Sequence, residues 1–187
     1  SGIGTAAFER GGFLIDGGHA LGPGLEKTDF RPSGASEGVS PAPVIARHDF
    51  PPDWRIVLAT PCLPTGASGV REAEIFRTAC PVPLDEVRET CHEVLMRMLP
   101  GVVDRDLDLF GRSVNRIQDL GFKRVEISLR PPVIPLLMEA LRDAGAACAG
   151  MSSFGPTVYA VTDTDAPAIL RAAEEFLEEE GGGEAWI

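Results

Sequence analysis

Residues 150–163, GMSSFGPTVYAVTD, constrain this chain more than any other stretch. A small-residue turn runs into the alternating, β-branched Thr157, Val158, Tyr159, Ala160 and Val161, which predicts a strand over 157–162. Such a turn brings backbone N–H groups close to an anion. No Cβ crowds Gly150 or Gly155, and Ser152, Ser153 and Thr157 add hydroxyl donors. Taken alone, the same residues also make a tight β-turn closed by serine hydrogen bonds. Residues 1–8, SGIGTAAF, have a similar character. Gly2-Ile3-Gly4-Thr5 leads into a predicted helical turn over 5–10, and a helix N-terminus attracts phosphate through its N–H groups and dipole. The lysine of a P-loop is missing there. Two phosphate-suited loops, one near each terminus, predict one site assembled by folding.

Between them, 13–16 reads as a short strand closed by Gly17-Gly18, and 19–43 as a long loop rich in Gly, Pro and Ser. The apolar run Ile56-Val57-Leu58-Ala59 predicts a strand over 54–60, and Pro61 with Pro64-Thr65-Gly66 places a domain boundary near Leu63. The expected domains are 1–63 and 64–187. Beyond the boundary the pattern turns helical. Ser68 is the expected cap of a helix through Ala79. Pro83-Leu84 opens the next helix, with Val87, Cys91, Val94, Leu95 and Met98 as its apolar face and Pro100-Gly101 as its stop. Further helices are predicted over 104–120, 136–144 and 166–180, and a strand over 146–149; 125–129 fits strand or helix equally. Glu174 to Glu184 reads as a solvated helix end. Helices with two strands flanking the glycine turn make an α+β layer.

A chain of 187 residues buries a real core. The formal charge of −11 argues against nucleic acid, and the apolar runs are too short to cross a bilayer. Cys62, Cys80, Cys91 and Cys148 show no C-x-x-C spacing and sit beside apolar or proline neighbours, so buried free thiols in a reducing, cytoplasmic compartment are expected. Met96, Met98 and Met138 are expected in the core. Only two lysines occur, Lys27 and Lys123. The first residue is Ser rather than Met, so the chain is expected to be a processed product or a piece of a longer protein.

The first loop followed by FERGGFLIDGG resembles the second motif of the GHMP kinase superfamily, in the form of β-ribofuranosylaminobenzene 5′-phosphate synthases. GMSSFGPTVYAV resembles their third motif, and WRIVLATP and GASGVREAEIF fit the same order. The resemblance implies a GHMP-kinase-like two-layer α+β fold: the end of an N-terminal domain with its phosphate loop, then the C-terminal domain. It covers the later part of such an enzyme; a further N-terminal section carries the first motif. Where the kinases show adjacent serines after the glycines, Thr5-Ala6-Ala7 stands here, which argues against ordinary ATP-dependent work.

That family joins phosphoribosyl pyrophosphate to a 4-aminobenzoate or 4-hydroxybenzoate with loss of carbon dioxide and pyrophosphate, in methanopterin synthesis. The resemblance therefore implies Gly2, Gly4, Thr5, Ser152, Ser153, Gly155 and Thr157 as phosphate ligands. Arg71 or Arg10 would orient the benzoate carboxylate, and Arg10, beside the first loop, could instead bind phosphate. Asp16 or Glu72 would lie near a Mg2+ or the developing ribosyl cation, with Asp16 the metal ligand. The plain alternatives are a surface pair for Glu9-Arg10 and for Arg71-Glu72, and a turn aspartate for Asp16. His48-Asp49 reads as a structural loop pair. Other functions weighed are an ATP-dependent small-molecule kinase, a non-catalytic fragment or subunit, and an N-terminal nucleophile at Ser1. Taken alone, the chain is expected to be silent, to leave strand 54–60 without neighbours, and to need a homo-oligomer or a partner chain carrying the first section.

Overall fold

A computed structural model describes residues 2–18 and 42–187; the expectations for Ser1 and for 19–41 lie outside the described residues. In chain order the first elements are α1 (Gly2–Arg10), β1 (Phe13–Asp16), β2 (Val44–His48), β3 (Arg55–Pro61), α2 (Val70–Ala79) and α3 (Leu84–Glu93). A π-helical turn, Val94–Met98, carries α3 on into α4 (Leu99–Asp104). Then come α5 (Leu107–Gln118), α6 (Gly121–Ser128), α7 (Val133–Asp143), β4 (Cys148–Met151), β5 (Val158–Thr162), α8 (Ala166–Glu179) and β6 (Gly183–Trp186).

Two compact units interleave along the chain: residues up to Phe50 with Ala67–Cys80, and Pro51–Gly66 with Pro81–Ile187. The compositional boundary near Leu63 therefore does not separate them. Its flanking strand, β3, belongs by pairing to the second unit.

In the first unit β1 and β2 form an antiparallel pair, Phe13 opposite His48. The expected first loop is instead the opening turn of α1. Arg47 of β2 closes the other end of that helix, donating from Nη2 to Arg10 O (3.2 Å) and from Nε to Gly11 O (3.3 Å) while pairing with Asp49. These bonds take up carbonyls that a helix end leaves unsatisfied. Gly12 has φ of 83°, and a Cβ there would lie 2.4 Å from His48 O. Only glycine makes this reversal from helix into strand. α2 begins after Gly69, φ 61°, with no side-chain cap, so Ser68 does not take the capping role expected of it.

In the second unit the sheet order is β4-β5-β3-β6, every neighbouring pair antiparallel. This is the split β-α-β arrangement of ferredoxin-like folds. β3 sits inside the sheet, Val57 opposite Ala160 on one side and Ala59 opposite Ala185 on the other. The expectation that it lacks neighbours is thus wrong: β5 and β6 satisfy both of its edges. Val57, Leu137, Leu141, Val158 and Ile169 are fully or almost fully buried where α7 and α8 cover the sheet. The β4 edge is closed by α5. Asn115 donates to Ala147 O and accepts from Ala149 N, both at 3.1 Å, and Gln118 Oε1 accepts from Met151 N at 3.1 Å. Gly111 lets α5 approach, since a Cβ there would meet Ala147 O at 2.7 Å.

Several helical expectations shift. Pro100-Gly101 does not stop the helix after α3: the chain runs on through the π turn into α4, with Pro100 just after that turn. Val87, Cys91 and Leu95 are exposed and Met96 is 63% exposed, whereas Glu93 is 3% exposed. The inward face of α3 carries Glu93 rather than Val87 and Cys91, and the π turn that follows adds a residue and shifts the period from Val94 on. Ser113 Oγ donates to Glu93 O at 2.7 Å and fixes that side. Met138 is in the core as expected. Residues 125–129 are helical, largely within α6, whose first amide donates to Glu86 Oε2 at 2.7 Å. The hydrogen bond from Arg124, then that from Gly121 N–H, holds the Glu86 carboxyl below its ordinary range.

Candidate phosphate-binding hairpin

The turn between β4 and β5 is a closed hairpin. Ser152 N donates to Thr157 O (2.9 Å) and Gly155 N to Ser152 O (2.8 Å). Ser153, φ 47°, and Gly155, φ 70°, both take the left-handed region. Ser152 and Ser153 are exposed, while Phe154 is buried edge-on against Phe122, centroids 5.9 Å apart. Thr157 Oγ1 lies 2.9 Å from Thr60 Oγ1 on β3, which ties the hairpin base to the sheet.

A second loop, 62–66, lies alongside. Gly66 N donates to Gly155 O at 3.3 Å, and a Cβ on Gly66 would fall 2.3 Å from Phe154 O. Two basic side chains brace the pair. Lys123 Nζ donates to Met151 O and Ser153 O, each at 3.1 Å, and Arg130 Nη2 donates to Pro64 O at 2.8 Å. The result is a rigid platform with two exposed hydroxyls and cationic side chains held close by. That chemistry suits a phosphate.

The structure gathers Ser152, Ser153, Gly155 and Thr157 into this hairpin. Sequence reasoning missed Lys123, Arg130, Gly66 and Thr60; the scarcity of lysine was the one available signal for Lys123. The other candidates lie in the first unit. Gly2, Gly4 and Thr5 form the opening turn of α1, the end of a helix that favours anions. Arg10 is exposed in the last turn, about 12 Å along the helix axis from Gly2 at the standard rise. Asp16 closes β1, its Oδ1 accepting from Gly18 N at 3.0 Å as a turn aspartate does. Arg71, exposed, and Glu72, half-buried, are in the first turn of α2, and no ion pair joins them among the described residues. Successive helix positions face different ways. The Arg47–Asp49 pair takes the structural part expected for Asp49.

Among the described residues no group of three or more His, Cys, Asp or Glu side chains could hold a metal. An acidic groove of about 640 Å³ between α8 and β6 carries Glu174, Glu178 and Glu184 and would repel phosphate. None of the described helices is long and apolar enough to cross a membrane.

All four cysteines are free thiols, but the expectation of uniform burial fails: Cys62, beside the platform, and Cys91 are exposed, and Cys148 is buried. Burial pushes the Cys148 thiol up to about 12. Iodoacetamide at mildly alkaline pH is therefore expected to alkylate Cys62 and Cys91 in the native protein and Cys148 only after unfolding. Native labelling of Cys148 in a peptide map would refute this burial.

The family model of the GHMP kinases C terminal matches residues 98–179. A homoserine kinase from Cytophaga hutchinsonii superposes with TM-score 0.63 at 20% identity, over 78% of this chain and 44% of its own. A galactokinase from Lactococcus lactis complexed with galactose gives 0.50 at 15% identity, over 78% and 47%. Residues 98–179 thus match the C-terminal domain of the GHMP kinases, and the two kinase structures share its fold. The Beta-ribofuranosylphenol 5'-phosphate synthase of Methanocaldococcus jannaschii is 50% identical over 184 residues, 97% of this chain and 53% of its own length. The protein of that name from Archaeoglobus fulgidus is 50% identical over 181 residues, 97% and 54%. The chain is similar to these synthases along nearly all of its own length and spans about half the length of the curated relatives it matches.

Proposed function

We propose that the full-length protein is a transferase that joins phosphoribosyl pyrophosphate to a 4-substituted benzoate. The observation that carries this is identity near one half to three synthases along 95–97% of the chain. The name of these relatives speaks of a phenol, which favours 4-hydroxybenzoate over 4-aminobenzoate as acceptor. The bond from the ribosyl anomeric carbon to pyrophosphate breaks, its electron pair leaving with pyrophosphate. The ring carbon bearing the carboxylate bonds to the anomeric carbon. The carboxylate bond then breaks, its electrons restore the aromatic ring, and carbon dioxide departs. Atoms and charge balance without an oxidant.

Pre-aligned donors that meet charge as it develops on the leaving group supply much of such a rate enhancement. In this reading Ser152 and Ser153 of the hairpin and Gly2, Gly4 and Thr5 of α1 hold phosphate groups, with Gly155, whose N–H bonds Ser152 O, and Thr157 shaping the hairpin. Arg71 or Arg10 orients the carboxylate, and Glu72 faces the ribosyl cation. Mg2+ takes one or two carboxylates with phosphate oxygens and waters, so Asp16, with one oxygen outside its turn bond, fits as a ligand. The ion would draw off charge from the leaving pyrophosphate. A cytoplasmic location accords with four free thiols. A homo-oligomer, or a partner chain, is part of the same proposal.

The test supplies full-length protein with carboxyl-labelled 4-hydroxybenzoate, phosphoribosyl pyrophosphate and Mg2+. Labelled carbon dioxide is expected. Release that ATP supports as well, or none at all, would sink the reading.

A further inference from the structure

Lys123 lies in the first turns of α6 with its side chain 20% exposed. Its Nζ donates to the carbonyls of Met151 and Ser153 and pairs with Glu126, itself 8% exposed. An ammonium has three donors. Those three acceptors engage all of them, and the carboxylate offsets the cost of holding the charge away from water. No donor is left over for a ligand.

The carbonyls it takes matter. In a planar trans peptide C=O and N–H point in opposite directions. Drawing the Met151 and Ser153 carbonyls onto one ammonium therefore turns the N–H groups of the same two peptide planes away from Lys123. It also holds Ser153 at φ 47°, a conformation that a non-glycine residue keeps only under constraint. Arg130 anchors the facing loop in parallel, through Pro64 O.

We infer that Lys123 is a positioning residue: through the carbonyls of Met151 and Ser153 it locks the turn in the strained shape that presents Ser152 and Ser153 to a phosphate group of the substrate. This rests on the reading of the hairpin as a phosphate-binding loop.

The experiment compares full-length wild-type protein with Lys123→Met and Lys123→Arg. Lys123→Gln takes the place of Lys123→Met if the apolar variant does not fold. Hydrogen exchange is followed in the peptide spanning the hairpin, and binding of phosphoribosyl pyrophosphate and inorganic pyrophosphate is titrated. In Lys123→Met, exchange in the hairpin is expected to quicken and both affinities to fall by about tenfold or more. The KM for phosphoribosyl pyrophosphate should rise while that for 4-hydroxybenzoate holds, and Lys123→Arg should recover part of the loss. A merely structural lysine would lower the melting temperature and leave the affinity of the folded protein unmoved. Unchanged affinity or unchanged exchange in a folded Lys123→Met protein overturns the inference. If wild-type protein binds neither ligand, the phosphate reading itself falls, and exchange alone then decides whether Lys123 holds the turn.

Discussion

Gly66→Ala in the full-length protein is expected to weaken phosphoribosyl pyrophosphate binding by about tenfold or more and to lower stability by about 1–3 kcal/mol, the usual cost of overpacking. An alanine Cβ would stand 2.3 Å from Phe154 O, 2.5 Å from Phe154 Cβ and 2.7 Å from Phe154 C. Backbone and side-chain stem cannot swing aside as the tip of a long side chain does. Either loop 62–66 or the hairpin must move, and the bond from Gly66 N to Gly155 O goes with it. Phe154 sits between Ser153 and Gly155, so the displacement reaches the exposed hydroxyls directly. Gly69→Ala is the control. Gly69 has φ of 61° and ψ of −124°, outside the left-handed α region, but nothing within 4 Å of its Cβ position, so backbone strain is its only cost, about 1–3 kcal/mol. Titration and urea unfolding read both effects. A folded Gly66→Ala protein that binds the pyrophosphate donor as tightly as wild type would refute the close approach as the element that shapes the site.

What was legible in the sequence follows from where the physics is local. The hairpin announced itself because glycine, serine and proline in the turn abut a β-branched alternation, and β5 runs Val158–Thr162 where 157–162 was expected. β3 and α8 were equally clear, one from a continuous apolar run and the other from a 3.6-residue stripe closed by Gly181-Gly182. Other elements were hidden because their cause is tertiary. β6, GEAW, has no alternation and owes its strand form to pairing with β3. Two glycines in the first turn argue against a helix at Gly2–Arg10, at about 1 kcal/mol each. Yet α1 forms, with Ala6 buried and its last carbonyls held by Arg47, 37 residues away from Arg10. The stripe from Val87 to Met98 misled because α3 turns Glu93 inward, beside Ser113, and the π turn after it then interrupts the period. The candidate site divides the same way. Ser152, Ser153 and Gly155 were readable as turn chemistry, whereas the brace by Lys123 depends on α6 crossing the hairpin 28 to 30 residues away.

Alkaline pH is expected to unfold the second unit steeply, because a buried thiol and a partly buried phenol are held neutral on adjacent strands. Burial pushes the Cys148 thiol from 9.0 to about 12, opposed by its backbone hydrogen bond with Val161. Burial likewise pushes the Tyr159 phenol from 10.0 to about 12, with the neighbouring Cys148 adding to the shift and the hydrogen bond with Gln118 opposing it. In both cases the folded value lies above the unfolded one. Each contribution is therefore fully present below the unfolded value and is lost as pH rises toward the folded one, since the unfolded chain gives up its proton first. The window runs from about 9 to about 12 for Cys148 and from about 10 to about 12 for Tyr159. At about 1.4 kcal/mol per pH unit, Cys148 alone can remove on the order of 4 kcal/mol, a large share of a typical domain's stability. Urea unfolding at successive pH values should show a slope that starts near pH 9 and steepens above pH 10. Cys148→Ala should remove the first part and Tyr159→Phe the second. Tyr159 is the single tyrosine of the chain, so tyrosinate absorbance reports it alone. Its ionisation should rise together with loss of structure rather than ahead of it. A free tyrosinate titration near pH 10 in folded protein, or an unaltered slope in Cys148→Ala, would show that these groups are not buried as described.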